Sequence, residues 1–311
     1  MELILTLDVG TTSVKACLFD RQLRQTALTS REYALQTRGV CAEVEAQVYL
    51  DAAAQCILSL PAEARARVCA VALTTQGETL LCVDRQGKAL RPAIVWLDSR
   101  AEAQAARLAA ALDRQRFYEC TGLPELSGAL PLAKLLWLRE QEPESWARTD
   151  KFLLLEDYLM LWLTGRAVTE KSLLTSTGYF DLQSDDYWDE ALALAELDRT
   201  RLPQALACGS IVGPVLPEVA EALGLPASAC VVTGAMDQTA AALAAGCTRP
   251  GTLCETTGTA MVAAAFTAHP QFSEDHHVTI YRHAMPGAYL YLPISNTIGT
   301  VSYTHLRAHE T

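Results

Sequence analysis

The sequence is poor in positive charge, with 25 Lys and Arg against 36 Asp and Glu and a formal net charge of −11 over 311 residues. An acidic surface repels phosphate backbones, so we expect no nucleic-acid partner. Long apolar runs are missing too, since the most apolar segment, residues 152–163, is too short to span a membrane. The N-terminus lacks the basic start and cleavage site of a signal peptide. These absences predict a cytoplasmic protein that binds no membrane.

Four common site signatures are absent as well. The 10 cysteines form no C-x-x-C pair and no zinc-finger spacing, so we expect reduced thiols rather than a disulfide or zinc scaffold. Neither G-x-x-x-x-G-K-[ST] nor G-x-G-x-x-G occurs, which excludes the P-loop and the Rossmann fingerprint. A nucleotide site would have to use another motif.

Apolar strands and helices alternate along the chain. Residues 3–10 predict a buried strand that ends in a tight turn, and residues 14–20 predict its hairpin partner. Residues 68–75 predict another buried strand, with 79–84 as its hairpin partner. Helical spacing occurs at 48–60, 98–112, 132–141, 156–163, 215–223 and 238–245. This mixture favours an α/β fold.

Two turns rich in hydroxyl groups and glycine lie between apolar strands, DVGTTS at 8–13 and ETTGTA at 255–260. A Gly-Thr-Thr turn presents backbone N–H groups and hydroxyls without bulky side chains, which suits phosphoryl oxygens. Asp8 precedes the first turn and could hold Mg²⁺ directly or through water. Taken alone, each segment also fits a plain hairpin turn, and their similarity also fits chance.

Five segments follow the order and rough spacing found in the FGGY carbohydrate kinases: LDVGTTSVKACLFD, TTQGETLLCVD, AIVWLDSRA, GAMDQTAAALAAG and ETTGTA. The chain resembles this family from about residue 3 to residue 300. The resemblance implies an actin-like, RNase H-like ATPase fold, with a complete first domain at 1–246 and a partial second domain at 247–300. It also implies ATP and Mg²⁺ as cofactors and a small sugar or polyol as substrate.

The same resemblance implies a role for each matching residue. Asp237 would be the catalytic base and Asp8 would serve the Mg²⁺ ion. The phosphates would be lined by Asp8, Gly10, Thr11, Thr12, Thr257, Gly258 and Thr259. The sugar would face Gln76, Glu78, Asp98 and Gln238. A helix N-cap is the structural alternative for Asp237 and for Asp98.

The substrate stays open from the sequence. Glycerol kinases continue after the position of Gln76 with Arg-Glu, where this chain has Gly77-Glu78, and the Met-His pair of xylulokinases is missing. Asp237-Gln238 resembles glycerol kinases, whereas the middle region resembles xylulokinases. We expect ATP-dependent phosphorylation of a hydroxyl of a small sugar or polyol, with a ketopentose such as xylulose favoured and a related polyol or sugar acid left open. Glycerol kinase is the alternative enzyme, and a non-catalytic actin-like ATPase or sugar-binding module is the alternative of another class.

The end of the chain predicts a truncated protein. The family carries a Gly-rich adenosine-binding segment beyond the part matched here, and this sequence contains none. Residues 301–311 (VSYTHLRAHET) match no family pattern, so we expect a non-native tail. The 311-residue chain on its own is therefore expected to be inactive. A homodimer is one expected assembly.

Overall fold

The structure is a computed structural model that describes residues 2–257, 261–275 and 277–295. In these ranges the strands are β1 (Leu3–Val9), β2 (Ser13–Phe19), β3 (Gln25–Glu32), β4 (Gln36–Arg38), β5 (Cys41–Val44), β6 (Val68–Thr75), β7 (Leu80–Val83), β8 (Ala93–Ile94), β9 (Lys151–Leu154), β10 (Val168–Glu170), β11 (Phe180–Asp181), β12 (Asp186–Tyr187), β13 (Gln204–Leu206), β14 (Ile211–Pro214), β15 (Cys230–Met236), β16 (Leu253–Thr257), β17 (Met261–Thr267), β18 (Ile280–Arg282), β19 (Tyr289–Tyr291) and β20 (Ile294–Ser295).

The helices of the same ranges connect these strands and cover their faces. They are α1 (Ala46–Leu58), α2 (Ala62–Arg65), α3 (Glu102–Ala111), α4 (Arg114–Thr121), α5 (Pro131–Gln141), α6 (Pro143–Arg148), α7 (Leu155–Thr164), α8 (Lys171–Leu174), α9 (Asp189–Leu194), α10 (Pro217–Leu223) and α11 (Asp237–Ala244). No helix in the described ranges is both long enough and apolar enough to cross a membrane.

A six-stranded sheet of order β14-β15-β6-β1-β2-β3 positions the residues discussed below. β1, β2 and β3 form an antiparallel meander, and β6 and β15 run parallel to β1. On β1, Leu3, Leu5, Leu7 and Val9 are buried at every second position, as a strand with one face in the core requires. The predicted hairpin of β1 and β2 is thus confirmed.

Helix α1 packs across β2 and β3 and buries Tyr49, Ala53 and Ile57 at helical spacing. This amphipathic face explains why the helix predicted at 48–60 forms. The helix predicted at 98–112 starts later, because α3 begins at Glu102.

A second sheet has the order β4-β5-β8-β7-β9. The predicted hairpin of residues 79–84 with residues 68–75 is wrong, because β7 pairs with β8 and β9 in this second sheet. Both edges of β6 are already occupied by the parallel strands β1 and β15. The apolar pattern identifies β7 as a strand but carries no information about its partner.

A third sheet of order β16-β17-β19-β18, with β20 beside β17, follows α11. Ile280 and Leu290 of this sheet are fully buried in the same apolar core as Tyr118 and Leu123. The Ile280 N–H donates to the carbonyl oxygen of Gly122 at 2.8 Å. The third sheet is therefore packed on the preceding part of the chain. The predicted domain boundary after residue 246 falls between α11 and β16 and stays a prediction.

Candidate active site

Three parallel strands of the six-stranded sheet end side by side. Asp8 on β1 pairs with Thr74 on β6, and Thr74 pairs with Ala235 on β15. The Thr74 hydroxyl also donates to the Ala235 carbonyl oxygen at 2.7 Å. Because the carboxyl ends of parallel strands meet at one edge, the segments that follow β1, β6 and β15 share that edge. They are residues 10–12, 76–78 and 237–238, so this register brings most of the sequence-predicted site residues together.

The turn after β1 is closed by the Gly10 N–H, which donates to the Ser13 carbonyl oxygen at 3.0 Å. The Thr11 hydroxyl accepts a hydrogen bond from the indole N–H of Trp96 at 2.9 Å. The Thr12 carbonyl oxygen accepts from the Tyr33 N–H at 2.9 Å. This turn is held from two sides, while Thr12 itself is exposed. It suits a ligand with acceptor oxygens.

Asp237 is the first residue of α11, and Met236 rather than Asp237 occupies the N-cap position. Its Oδ1 accepts a hydrogen bond from the Gln238 N–H at 2.6 Å. Burial raises the pKa of Asp237 to about 6, and the charge of Asp8 adds to the rise, whereas the Gln238 hydrogen bond opposes it. A carboxyl group with such a pKa can accept a proton near neutral pH, as a general base must.

The segment after β6 carries Gln76 and Glu78. The Gln76 N–H donates to the Val9 carbonyl oxygen at 3.1 Å. The side-chain Oε1 of Gln76 is buried and has no hydrogen-bond partner in the described part of the chain. Glu78 has a φ of +50°, a left-handed conformation that costs a non-glycine residue about 1 kcal/mol or more. Burial raises the pKa of the Glu78 carboxyl to about 7, although Lys134 opposes the rise.

Lys134 was not singled out from the sequence, yet it connects two site segments. Its ammonium group is fully buried and donates to the carbonyl oxygens of Glu78 at 3.2 Å and Val95 at 3.0 Å. The signal that could have found it is a lysine inside the apolar stretch PLAKLLWL. A lysine is almost never fully buried unless something pairs with it.

Asp98 lies near Trp96 but is already saturated with donors. Its carboxylate is fully buried and accepts from the Ala42 N–H at 2.6 Å and from the Arg100 guanidinium at 2.6 to 3.0 Å. Burial pushes the pKa of Asp98 upward, but these hydrogen bonds outweigh burial and hold it below the usual value. The contacts of Asp98 fit a residue that shapes the loop after β8, and its contact with sugar stays a prediction.

Only the first residue of the second phosphate turn lies within the described ranges. Thr257 ends β16, and its backbone pairs with that of Met261. Gly258 and Thr259 lie outside the described residues. The predicted roles of these three residues therefore stay predictions.

A divalent cation fits the edge where Asp8 and Asp237 lie. The Asp8 carboxylate is 43% exposed and is 3.5 Å from the Lys15 ammonium. Its negative charge is close enough to raise the pKa of Asp237, so a cation would relieve repulsion between them. No group of three or more His, Cys, Asp or Glu side chains in the described ranges is arranged for a metal. Mg²⁺ needs no such group, because it takes one or two carboxylates together with waters and substrate phosphates.

The sheet order and the site at its carboxyl edge define a protein of the actin-like ATPase fold, and known structures confirm this expectation. The xylulose kinase from Rhodospirillum rubrum aligns with a TM-score of 0.89 and 29% identity, over 94% of this chain and 60% of that chain. The expected fold class is therefore confirmed.

The chain belongs to the FGGY family of carbohydrate kinases, because residues 3–244 match the N-terminal domain of that family. It is 30% identical to the xylulose kinase of Lactococcus lactis subsp. lactis (strain IL1403), over 93% of this chain and 58% of that protein. It is 25% identical to the gluconokinase of Bacillus subtilis (strain 168), over 89% of this chain and 54% of that protein. The chain thus spans less than two thirds of these relatives.

Proposed function

We propose that this protein phosphorylates a hydroxyl group of a small sugar with ATP, that Asp237 is the general base, and that the substrate is a ketopentose such as xylulose. The observation that carries the proposal is the register of Asp8, Thr74 and Ala235. This register gathers a phosphate-type turn, a polar segment and a titratable carboxyl at one edge of the sheet.

Phosphoryl transfer depends on positioning and on charge stabilisation. Asp237 would orient the acceptor hydroxyl and take its proton, for which a pKa of about 6 is suited. The turn at 10–12 would offer N–H groups and hydroxyls to phosphate oxygens. Asp8 would hold Mg²⁺, which when bound supplies positive charge to the transferred phosphoryl group.

The charges around the site support a neutral sugar over a sugar acid. Asp8, Glu78 and Asp237 are three carboxyl groups at or next to this edge, and the nearby ammonium of Lys134 donates to backbone carbonyl oxygens and offsets only part of their charge. A carboxylate ligand such as gluconate would meet like charge, which costs binding energy. The polyhydroxyl chain of a ketopentose offers donors to the same carboxylates.

Sugar binding by the 311-residue chain tests the substrate class. We expect D-xylulose to raise the melting temperature and to give heat in calorimetry, and D-gluconate and glycerol to bind at least about tenfold more weakly, a difference of about 1.4 kcal/mol. Tighter binding of gluconate than of xylulose would refute the electrostatic argument. Failure of all three compounds to bind would refute the sugar site.

Turnover requires a separate test, because the chain spans 58% of the Lactococcus lactis relative. The chain is fused to the remaining part of the Lactococcus lactis relative, and ADP release is measured with D-xylulose and Mg-ATP. Asp237→Asn should lower kcat by about 10³-fold and change D-xylulose affinity little, since a general base acts mainly in the transition state. A variant with normal kcat at saturating sugar would show that the base lies elsewhere.

A further inference from the structure

β15 loses a neighbouring strand before it reaches Asp237. β14 pairs with β15 only as far as Val232, and the ladder between β15 and β6 shifts register between Val232 and Ala235. The last residues of β15 therefore have one edge without a strand in the described part of the chain. Buried backbone N–H groups on that edge need acceptors from elsewhere.

Two buried carboxyl groups provide these acceptors. Glu156 Oε1 accepts from the Gly234 N–H at 3.0 Å, and Glu170 Oε1 accepts from the Met236 N–H at 3.1 Å. The Ser172 hydroxyl oxygen also lies 3.1 Å from the Met236 nitrogen. Both carboxyl groups are fully buried. The Met236 N–H belongs to the residue directly before Asp237, so Glu170 and Ser172 hold the backbone on which the proposed base is mounted.

Glu170 is itself fixed in place by several donors. Its carboxylate accepts from the Ser172 N–H at 2.6 Å, the Leu173 N–H at 2.6 Å, the Ser172 hydroxyl at 2.8 Å and the Cys208 thiol at 2.9 Å. It is also the N-cap of α8. A carboxylate with this many partners cannot move without breaking them, so the acceptor that it offers to Met236 is rigid.

We propose that Glu170, together with Ser172, is a positioning residue that fixes the Met236–Asp237 backbone and thereby aims the Asp237 carboxyl group into the site. The inference rests on the proposed role of Asp237 as the base. Displacement of a reacting group by about 1 Å can cost about 100-fold in rate. Glu170 and Ser172 belong to none of the three segments that form the site edge, so each would act through the backbone of β15.

The competing explanation is that Glu170 merely stabilises the core. Asp157 offers a matched control, because it is equally buried but its Oδ2 accepts from the Leu154 N–H at 2.7 Å, at the start of α7. Asp157→Asn perturbs a buried carboxyl group that makes no hydrogen bond to β15 in the described part of the chain, and it leaves the Glu170 and Ser172 side chains in place. Ser172→Ala removes one acceptor of the Met236 N–H and changes no charge.

The test measures the pKa of Asp237 by ¹³C NMR of the carboxyl carbon in the 311-residue chain, with Asp237→Asn identifying the signal. Glu170→Gln and Ser172→Ala should lower this pKa from about 6 towards its ordinary value by at least about half a unit, because a released carboxyl group reaches water. Asp157→Asn should leave it unchanged. Asp8, Glu78 and Tyr281, which influence or adjoin Asp237, are intact in all of these variants.

Because Ser172→Ala leaves the charge of Glu170 in place, a change in the pKa of Asp237 in this variant reports on backbone positioning and not on the electric field of Glu170. Ser172→Ala also provides the test if Glu170→Gln does not fold. An unchanged pKa of Asp237 in Ser172→Ala would overturn the proposal. In the fused enzyme, Glu170→Gln and Ser172→Ala should lower kcat by about tenfold or more and leave the KM for sugar within about threefold. The NMR measurement requires no turnover. A negative NMR result would therefore refute the positioning role without bearing on the proposed kinase activity, and absence of kinase activity would leave the NMR result standing.

Discussion

The ammonium group of Lys134 lies 3.2 Å from the carbonyl oxygen of Glu78 and so connects helix α5 to the loop that carries a candidate sugar-binding residue. The same group donates to Val95, just before Trp96. Burial lowers the pKa of Lys134 to about 8, and the charge of Glu78 opposes this decrease. Two loops from different strands are thus held by one buried cation.

Lys134→Met should destabilise the protein by about 3 kcal/mol, because it leaves two carbonyl oxygens without their donor and Glu78 without its counter-charge. Urea unfolding followed by circular dichroism measures the change. Binding of D-xylulose should weaken as well, since the Glu78 loop loses its support.

Lys151→Met is the matched control for this substitution. The Lys151 ammonium also donates to two backbone carbonyl oxygens, those of Thr200 and Leu202, but it is only partly buried and belongs to another region. Its replacement should cost about 1 kcal/mol or less. Equal stabilities of the two variants would contradict the role assigned to Lys134.

Sequence patterns predicted correctly those elements whose residues are close together in the chain. Alternating apolar residues and the turn at Gly10 were sufficient for the hairpin of β1 and β2. The pairing of β7 was predicted wrongly, because the strands that occupy the edges of β6 lie far away in the sequence. Periodicity reveals a strand and not its partner.

The residues of the site also divide into those that the sequence identified and those that only the fold reveals. Asp8, Glu78 and Asp237 could be named because the segments that carry them resemble motifs of the FGGY carbohydrate kinases, and the structure places each at or just after the end of a strand at one sheet edge. Lys134 and Glu170 escaped notice, since the tertiary fold alone brings Lys134 to the carbonyl oxygens of Glu78 and Val95 and brings Glu170 to the Met236 N–H. Charged residues inside apolar runs are the signal for Lys134 (PLAKLLWL) and for Glu156 (FLLLEDYLM), whereas Glu170 lies in no such run.

Asp237→Asn should increase stability at neutral pH. Burial and the charge of Asp8 raise the folded-state pKa of Asp237 to about 6, above its ordinary value of 3.8. The folded state therefore favours the protonated form of Asp237. The stability that this protonated carboxyl group contributes is present below pH 4 and is lost as the pH rises through 6. Asn does not titrate, so Asp237→Asn does not lose this stability. The free energy of unfolding of the variant relative to the wild type should therefore rise by about 2 kcal/mol between pH 4 and pH 7.5.

Urea unfolding of both proteins from pH 4 to pH 7.5 measures this difference, and Asp98→Asn provides a control of opposite sign. Burial raises the pKa of Asp98, but the hydrogen bonds from Arg100 and Ala42 outweigh burial and lower it overall. The stability that Asp98 contributes is therefore present above its ordinary pKa and is lost as the pH falls. A flat difference between Asp237→Asn and the wild type would show that Asp237 is not buried as described.

Gly234→Ala should prevent folding or cost more than about 4 kcal/mol. A Cβ at this position would lie 1.4 Å from the carbonyl oxygen of Leu73, which is backbone and cannot rotate away. The contact occurs where the ladder of β15 and β6 shifts register, so relief would require the two strands to separate. Soluble yield and urea unfolding measure the effect.

Gly246→Ala is the control that separates close approach from backbone conformation. Gly246 has a φ of +81°, and a Cβ added there would have no atom of the described chain within 4 Å, so alanine should cost only about 1 to 2 kcal/mol from the left-handed conformation. Similar losses in the two variants would contradict the steric argument. A much larger loss at Gly234 would show that the glycine lets β15 approach β6 closely enough to bring Asp237, three residues later, to the edge shared with Asp8.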